Sequence, residues 1–242
     1  MKTTRQWRMA AALGAILGGF LAASAPWLWP SLRGESPEEL KANLDLPYDA
    51  SGDTNDEEDP AEVMVFYGES FDGEGFFYCI DGSMSMGDGE WQTLQRELGR
   101  SILGLSSDMQ FGFVIFNNEL FYFPANGKPT PATAAAKKTA LVAVADAAPE
   151  SWTCLKEGLV KALEMANESN LKKKSIVLLS DGKPTCPGTD FVTYREEIFG
   201  EIRSRNTKGV EIHTLGIGAD VDESFLKRLA RENQGVYRRV NH

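Results

Sequence analysis

The sequence is nearly without histidine: His213 and His242 are the only two, and they stand far apart. It carries three cysteines, Cys79, Cys154 and Cys186, scattered along the chain. No Cys/His cluster has zinc-ligand spacing, and three cysteines are too few for a disulfide-built scaffold. Positive charge is also short. Lys and Arg total 25 against 35 Asp and Glu, a formal net charge of −10, which argues against a nucleic-acid binder. No internal repeat is visible. What the chain does have is 242 residues, 42% of them hydrophobic and 10% aromatic, enough for one ordinary domain with a real core and something extra.

The extra part is N-terminal. Lys2, Arg5 and Arg8 precede an apolar, charge-free run from Met9 to about Trp29, the pattern of an export signal or membrane anchor over residues 1–30. Small residues around Ala23–Ala25 resemble a cleavage site, but Pro26 follows directly and hinders cleavage. Trp27 and Trp29 suit a membrane interface. An uncleaved anchor is the favoured expectation, with the rest of the chain outside the cytoplasm, periplasmic or at the cell surface; cleavage would make the protein secreted. Residues 31–60 form an acidic linker. Glu35, Glu38, Glu39, Asp45, Asp49, Asp53, Asp56, Glu57, Glu58 and Asp59 face only Lys41 across 34–60, and large apolar residues are few. A solvated, disordered tether is expected there. A calcium loop in "DASGDTNDEED" is the sharper alternative, but it lacks the Gly and closing Glu of an EF-hand.

From Ala61 the pattern changes to alternating strands and helices, so residues 61–242 are expected to be one domain. Strand candidates are 62–67, 75–81, 110–117, 119–123, 174–180, 210–217 and 235–240; helix candidates are about 89–104, 131–147, 154–169, 190–206 and 222–233. Asn117-Asn118 marks a hairpin turn in "VIFNNELFYF". The alternation predicts an α/β fold, doubly wound, with a mostly parallel central sheet, one antiparallel edge strand and helices on both faces.

Ligands of such sheets bind beyond the carboxyl ends of the strands. After "GFFYCID" come Asp81, Ser83 and Ser85; after "SIVLLS" comes Asp181; just before the helix at 154–169 comes Thr153. Singly, each has an ordinary reading as a turn or N-cap residue; Thr153, for one, is a good N-cap. Together they are two carboxylates and three hydroxyls at one sheet edge, an all-oxygen set suited to a hard cation such as Mg²⁺, with Mn²⁺ or Ca²⁺ as alternatives. Neutral hydroxyls would leave the ion under-neutralised and open to a further anionic ligand.

"IDGSMSM" resembles the Asp-x-Ser-x-Ser signature of von Willebrand factor A-type domains, and the resemblance runs from about Val63 to Val240 through "FGFVIFNNELFYF", "IVLLSDGKPT" and "EIHTLGIGADVDESFLKRLARENQGVYRRV". It implies a Rossmann-like fold and a metal-ion-dependent adhesion site. By position Asp81, Ser83 and Ser85 would be its first segment, Thr153 its second and Asp181 its third. It implies direct bonds from the hydroxyls and carboxylates that often act through water. Ser151-Trp152 stands where many relatives have a glycine pair, and Cys154 where a small polar residue is common. If Thr153 and Asp181 reach one ion, their loops run close, and Cys154 and Cys186 come within disulfide range; reduced packing thiols are the alternative, and Cys79 is expected to be a buried free thiol.

The function expected is a non-enzymatic, extracytoplasmic binding or adhesion module that holds a divalent cation and captures an acidic residue of a protein partner. Two alternatives stand beside it: a metal-dependent hydrolase or phosphotransfer enzyme, and a subunit of a chelatase-like assembly. The first lacks a base, since no histidine accompanies Ser83 or Ser85 in a motif. The second is usually cytoplasmic, against the N-terminal apolar run.

Overall fold

The computed structural model describes residues 63–84, 87–150 and 152–240. The expected anchor and acidic linker, and Ser85 of the expected metal site, lie outside the described residues. Among the described residues no helix is long and apolar enough to cross a membrane.

The sheet is organised by β3 (Gly75–Asp81), whose seven residues are all buried. It lies between β4 (Gln110–Phe116) and β7 (Lys174–Ser180), parallel to both. A strand covered on both faces needs apolar side chains in both directions, which is why it reads as a continuous run and not an alternation. Phe76, Tyr78 and Ile80 point into one core, Phe77 and Cys79 into the other, as period-two geometry requires. Cys79 is a buried free thiol.

The first core is roofed by α1 (Gly87–Gly104) and α2 (Ala134–Asp146). On α1 the buried Trp91, Leu94, Leu98 and Ile102 recur at three- and four-residue steps and form one stripe against the sheet. The second core is covered by α3 (Leu155–Glu168), α4 (Phe191–Arg205) and α5 (Glu223–Glu232). Helix α3 lies so close to β4 that a Cβ at Gly158 would meet the Phe116 ring at 2.6 Å. Strands β8 (Glu211–Gly216) and β9 (Tyr237–Arg239) continue the sheet in parallel beyond β7. At the other edge β5 (Leu120–Phe123) pairs antiparallel with β4 after a turn in which the Asn117 side chain accepts from Glu119 N at 2.7 Å.

The order is β5-β4-β3-β7-β8-β9, so the winding direction reverses between β3 and β7. The doubly wound, mostly parallel fold is therefore as expected, with two additions. A two-residue strand β6 (Thr130–Pro131) also pairs antiparallel with β4, so β5 is not the single antiparallel strand. Residues 63–66 do not join the main sheet. They form β1 (Val63–Phe66), which makes a separate antiparallel hairpin with β2 (Glu69–Asp72) and buries Met64, Phe66 and Phe71 in the first core.

Candidate metal site

The reversal between β3 and β7 opens a crevice at their carboxyl ends, and three segments meet there. The first follows β3. Asp81 is completely buried; one carboxylate oxygen accepts from Ser83 N at 3.0 Å and the other from Ser180 Oγ at 2.6 Å. The second is the loop ahead of α3. Glu150 N donates to Gly82 O at 2.8 Å, which draws that loop alongside Ser83. The third follows β7. Thr153 and Thr185 exchange two backbone hydrogen bonds of 2.8 and 3.0 Å, so the second and third segments are themselves paired.

Of the expected set, Asp81, Ser83, Thr153 and Asp181 are thus brought to one edge. Ser83 and Thr153 are buried; Asp181 is half-buried and accepts from Lys183 N at 2.9 Å. Gly182, at φ +76°, turns the chain away directly after Asp181, and its N–H donates to Ser180 Oγ at 3.0 Å. Thr153 is not the cap of α3: Cys154 is, and it makes no side-chain capping bond. The Thr153 hydroxyl is therefore not committed to the helix start.

Ser180 is a member of this cluster that sequence reasoning passed over. It was visible only as the polar end of "SIVLLS". The register pairs Ile80 with Leu179, which sets Ser180 across from Asp81. Its hydroxyl receives from Gly182 N and donates to Asp81, fixing the carboxylate's orientation.

Electrostatically the cluster is unbalanced. Burial pushes Asp81 up to about 6, and the neighbouring charge of Asp181 adds to the rise, while the hydrogen bonds from Ser180 and Ser83 work against it. Among the described residues no lysine, arginine or histidine forms an ion pair with Asp81. Lys183 pairs with Asp220. His213 sits lower in the sheet: it pairs with Val177, three residues before the Ser180–Gly216 pair at the edge, about 10 Å away. There it packs on Phe71 and receives Val236 N at 3.1 Å, a structural role.

Cys154 and Cys186 are joined in a disulfide, Cα to Cα 4.7 Å. Of the two readings left open by the sequence, the bridge is the one found. Glu157 lies within 4.8 Å of both sulfurs, a group that resembles a thiolate metal site, but the sulfurs are bonded to each other and Tyr194 Oη donates to Glu157 at 2.6 Å. Met84 and Trp152, the neighbours of Ser83 and Thr153 in sequence, are 67% and 44% exposed.

A family model of the von Willebrand factor type A domain matches residues 77–241. Inter-alpha-trypsin inhibitor heavy chain H2 of Sus scrofa is 28% identical over 205 residues, covering 78% of this chain but only 21% of that protein. The chain thus matches about a fifth of that relative's length. Among solved structures, the pilus adhesin SpaC of Lactobacillus rhamnosus GG aligns with a TM-score of 0.56 at 15% identity, over 70% of this chain and 28% of that one. The manganese-loaded TRAP protein of Plasmodium vivax aligns with a TM-score of 0.50 at 20% identity, over 66% of this chain and 63% of that one. On the family match, the order of its elements and the shared fold, this chain belongs to the von Willebrand factor type A domain family.

Proposed function

We propose that the protein is a non-enzymatic binding module whose contact with a partner protein depends on a divalent cation held by Asp81, Ser83, Ser85, Thr153 and Asp181. The observation that carries this reading is Asp81: a fully buried carboxylate, next to a second carboxylate and held, among the described residues, by neutral donors. Burying a negative charge without a counter-charge is costly, and a hard cation supplies that charge. The residues fit such an ion, being oxygen donors throughout, with Mg²⁺ the first choice and Mn²⁺ or Ca²⁺ able to replace it. When bound, the ion offers a coordination position to an acidic side chain of the partner. Two carboxylates and neutral hydroxyls leave it able to accept that third negative ligand. The adhesin and the manganese-loaded protein of the same fold support the reading, each in its own setting.

Residues 1–30 would anchor the domain and 31–60 would hold the domain, residues 61–242, away from the bilayer, outside the cytoplasm, or the protein would be secreted if the first segment is removed. The enzymatic alternative would need a histidine at the crevice, and among the described residues the one histidine, His213, lies lower in the sheet and packs on Phe71.

Calorimetric titration of the full chain with Mg²⁺ and with Mn²⁺ should give saturable, one-site binding. Ser83→Ala and Thr153→Ala should each weaken it by about tenfold or more while the circular dichroism spectrum stays unchanged. A wild-type chain that takes up neither ion would refute the proposal. Partner capture should likewise be present in Mg²⁺ and absent in chelator.

A further inference from the structure

The disulfide does more than close a loop: it stands one residue from a proposed ligand. Cys154 follows Thr153 directly, and Cys186 lies five residues past Asp181 and one past Thr185, the residue that pairs with Thr153. Its two cysteines are only 5% and 7% exposed, so the bridge sits inside the seam between the two segments. From the other side, Cys154 N donates to Asn117 O at 3.0 Å, which ties the same point to the β4–β5 turn. The start of α3 is further clamped to α4, where Tyr194 Oη receives from Lys156 N at 3.2 Å and donates to Glu157.

Position 154 is also the N-cap of α3, where Ser, Thr, Asp or Asn would supply a hydrogen bond to the helix start. The cysteine supplies none. Helix stability therefore does not account for cysteine here; the cross-link to the third segment does.

We infer that the Cys154–Cys186 bridge is a positioning element of the metal site, so that metal affinity depends on whether the two sulfurs are bonded. The inference rests on the metal reading of the crevice. With the bridge in place, Thr153 is held against the Asp181 segment by one covalent and two hydrogen-bonded links. Without it, the pairing of Thr153 with Thr185 remains, so the site is loosened and not destroyed. If the ligand-ready arrangement is then populated a tenth to a fifth of the time, apparent affinity falls about five- to tenfold. Reduction by a dithiol breaks the S–S bond, leaves a protonated thiol on each cysteine and converts the reductant to its cyclic disulfide. Reoxidation by a disulfide oxidant restores the bridge.

The test uses the full chain and Mn²⁺ alone. Affinity is measured by calorimetry, and the bound ion by its electron paramagnetic resonance spectrum. Four samples are compared at a temperature where circular dichroism shows all of them folded: oxidised wild type; wild type reduced with dithiothreitol and desalted without air; the same sample reoxidised; and the Cys154→Ala/Cys186→Ala pair, with and without reductant. The expected result is Mn²⁺ binding about five- to tenfold weaker in the reduced and alanine samples, recovery on reoxidation, and no effect of reductant on the alanine pair. A purely structural bridge would shift the melting temperature and leave affinity within twofold, and that result overturns the inference. If oxidised wild type binds no Mn²⁺, the metal reading itself fails and this inference with it, an outcome distinct from equal binding in all samples.

Discussion

Asp81→Asn should make the metal-free protein more stable and deprive it of most of its response to Mg²⁺. Burial holds the Asp81 carboxyl at about 6 in the folded chain, above the ordinary aspartate value near 4 that applies once unfolded. Between those values the folded state carries the extra proton, so stability falls as pH rises from about 4 to about 6 and stays reduced above that. The two-unit difference corresponds to about 3 kcal/mol at neutral pH. Asparagine keeps the shape and, through its oxygen, the bond from Ser83 N, and has no charge to bury; its amide nitrogen then faces Ser180 Oγ and cannot accept that hydroxyl's hydrogen bond, which offsets part of the gain. In chelator at pH 7.5 the variant should therefore exceed wild type by up to about 3 kcal/mol, and near pH 4 the two should converge. Saturating Mg²⁺ should reverse the ranking's cause: at a hundred times its dissociation constant it returns about 2.7 kcal/mol to wild type. The variant should gain no more than about 0.4 kcal/mol, its affinity being lower by at least about a hundredfold. Thermal melts over pH, with and without metal, give all four numbers. A variant less stable than wild type in chelator at pH 7.5 would contradict this electrostatic account of Asp81.

The amount of this that could be read from the sequence varied with how local the signal was. β3 was legible because a strand buried on both faces must be apolar throughout, and Asp81 because a carboxylate ending such a run is conspicuous. The β1–β2 hairpin was only half legible. Its turn, Tyr67-Gly68, takes φ of +54° and +74°, the left-handed pair of a tight hairpin. A tyrosine in the first place hides that signal, and the four-residue "ESFD" offers too little alternation to replace it. Thr153 has the residue type of an N-cap, yet the helix begins one residue later, with Cys154 in that place, because helix ends vary by a residue or two around the sequence signal. Ser180 was the most deeply hidden. Nothing in "SIVLLS" marks its last hydroxyl as the partner of a carboxylate 99 residues away. Only strand register creates that relation.

Loss of the disulfide should be the second large effect. The bridge joins residues 32 apart in sequence. A loop of that length confers about 3–4 kcal/mol through restriction of the unfolded chain. For a domain of this size that is a fall in melting temperature of roughly 7–14 °C. The alanine pair should show the whole loss. The serine pair should lose about 1 kcal/mol less, because serine at 154 can supply the capping bond to α3 that cysteine does not make. Denaturant melts of the three proteins, all in chelator so that metal affinity does not enter, would measure both quantities. Equal stability of the alanine pair and wild type would show that the bridge constrains nothing the fold does not already hold.

The separate hairpin also determines how the domain carries a mechanical load. The chain enters at Val63, at the open end of the ladder, where Val63 pairs with Asp72. A pull at residue 63 therefore peels the hairpin pair by pair toward Phe66 and Glu69, breaking few bonds at a time. The main sheet cannot open in that way from the same point, since β3 is bonded along both sides and must slide past β4 and β7 together. The hairpin should yield first, at a lower force than the sheet although Met64, Phe66 and Phe71 leave the first core with it, and release roughly 30 Å of slack over its ten residues. During that extension the tension stays near the force at which the hairpin yields, so a partner held at the crevice and pulled against residue 63 would feel no more than that force until the hairpin is spent. Single-molecule pulling from residue 63 should show this as a short, low-force step before the main rupture, and one single rupture would show that hairpin and sheet fail together.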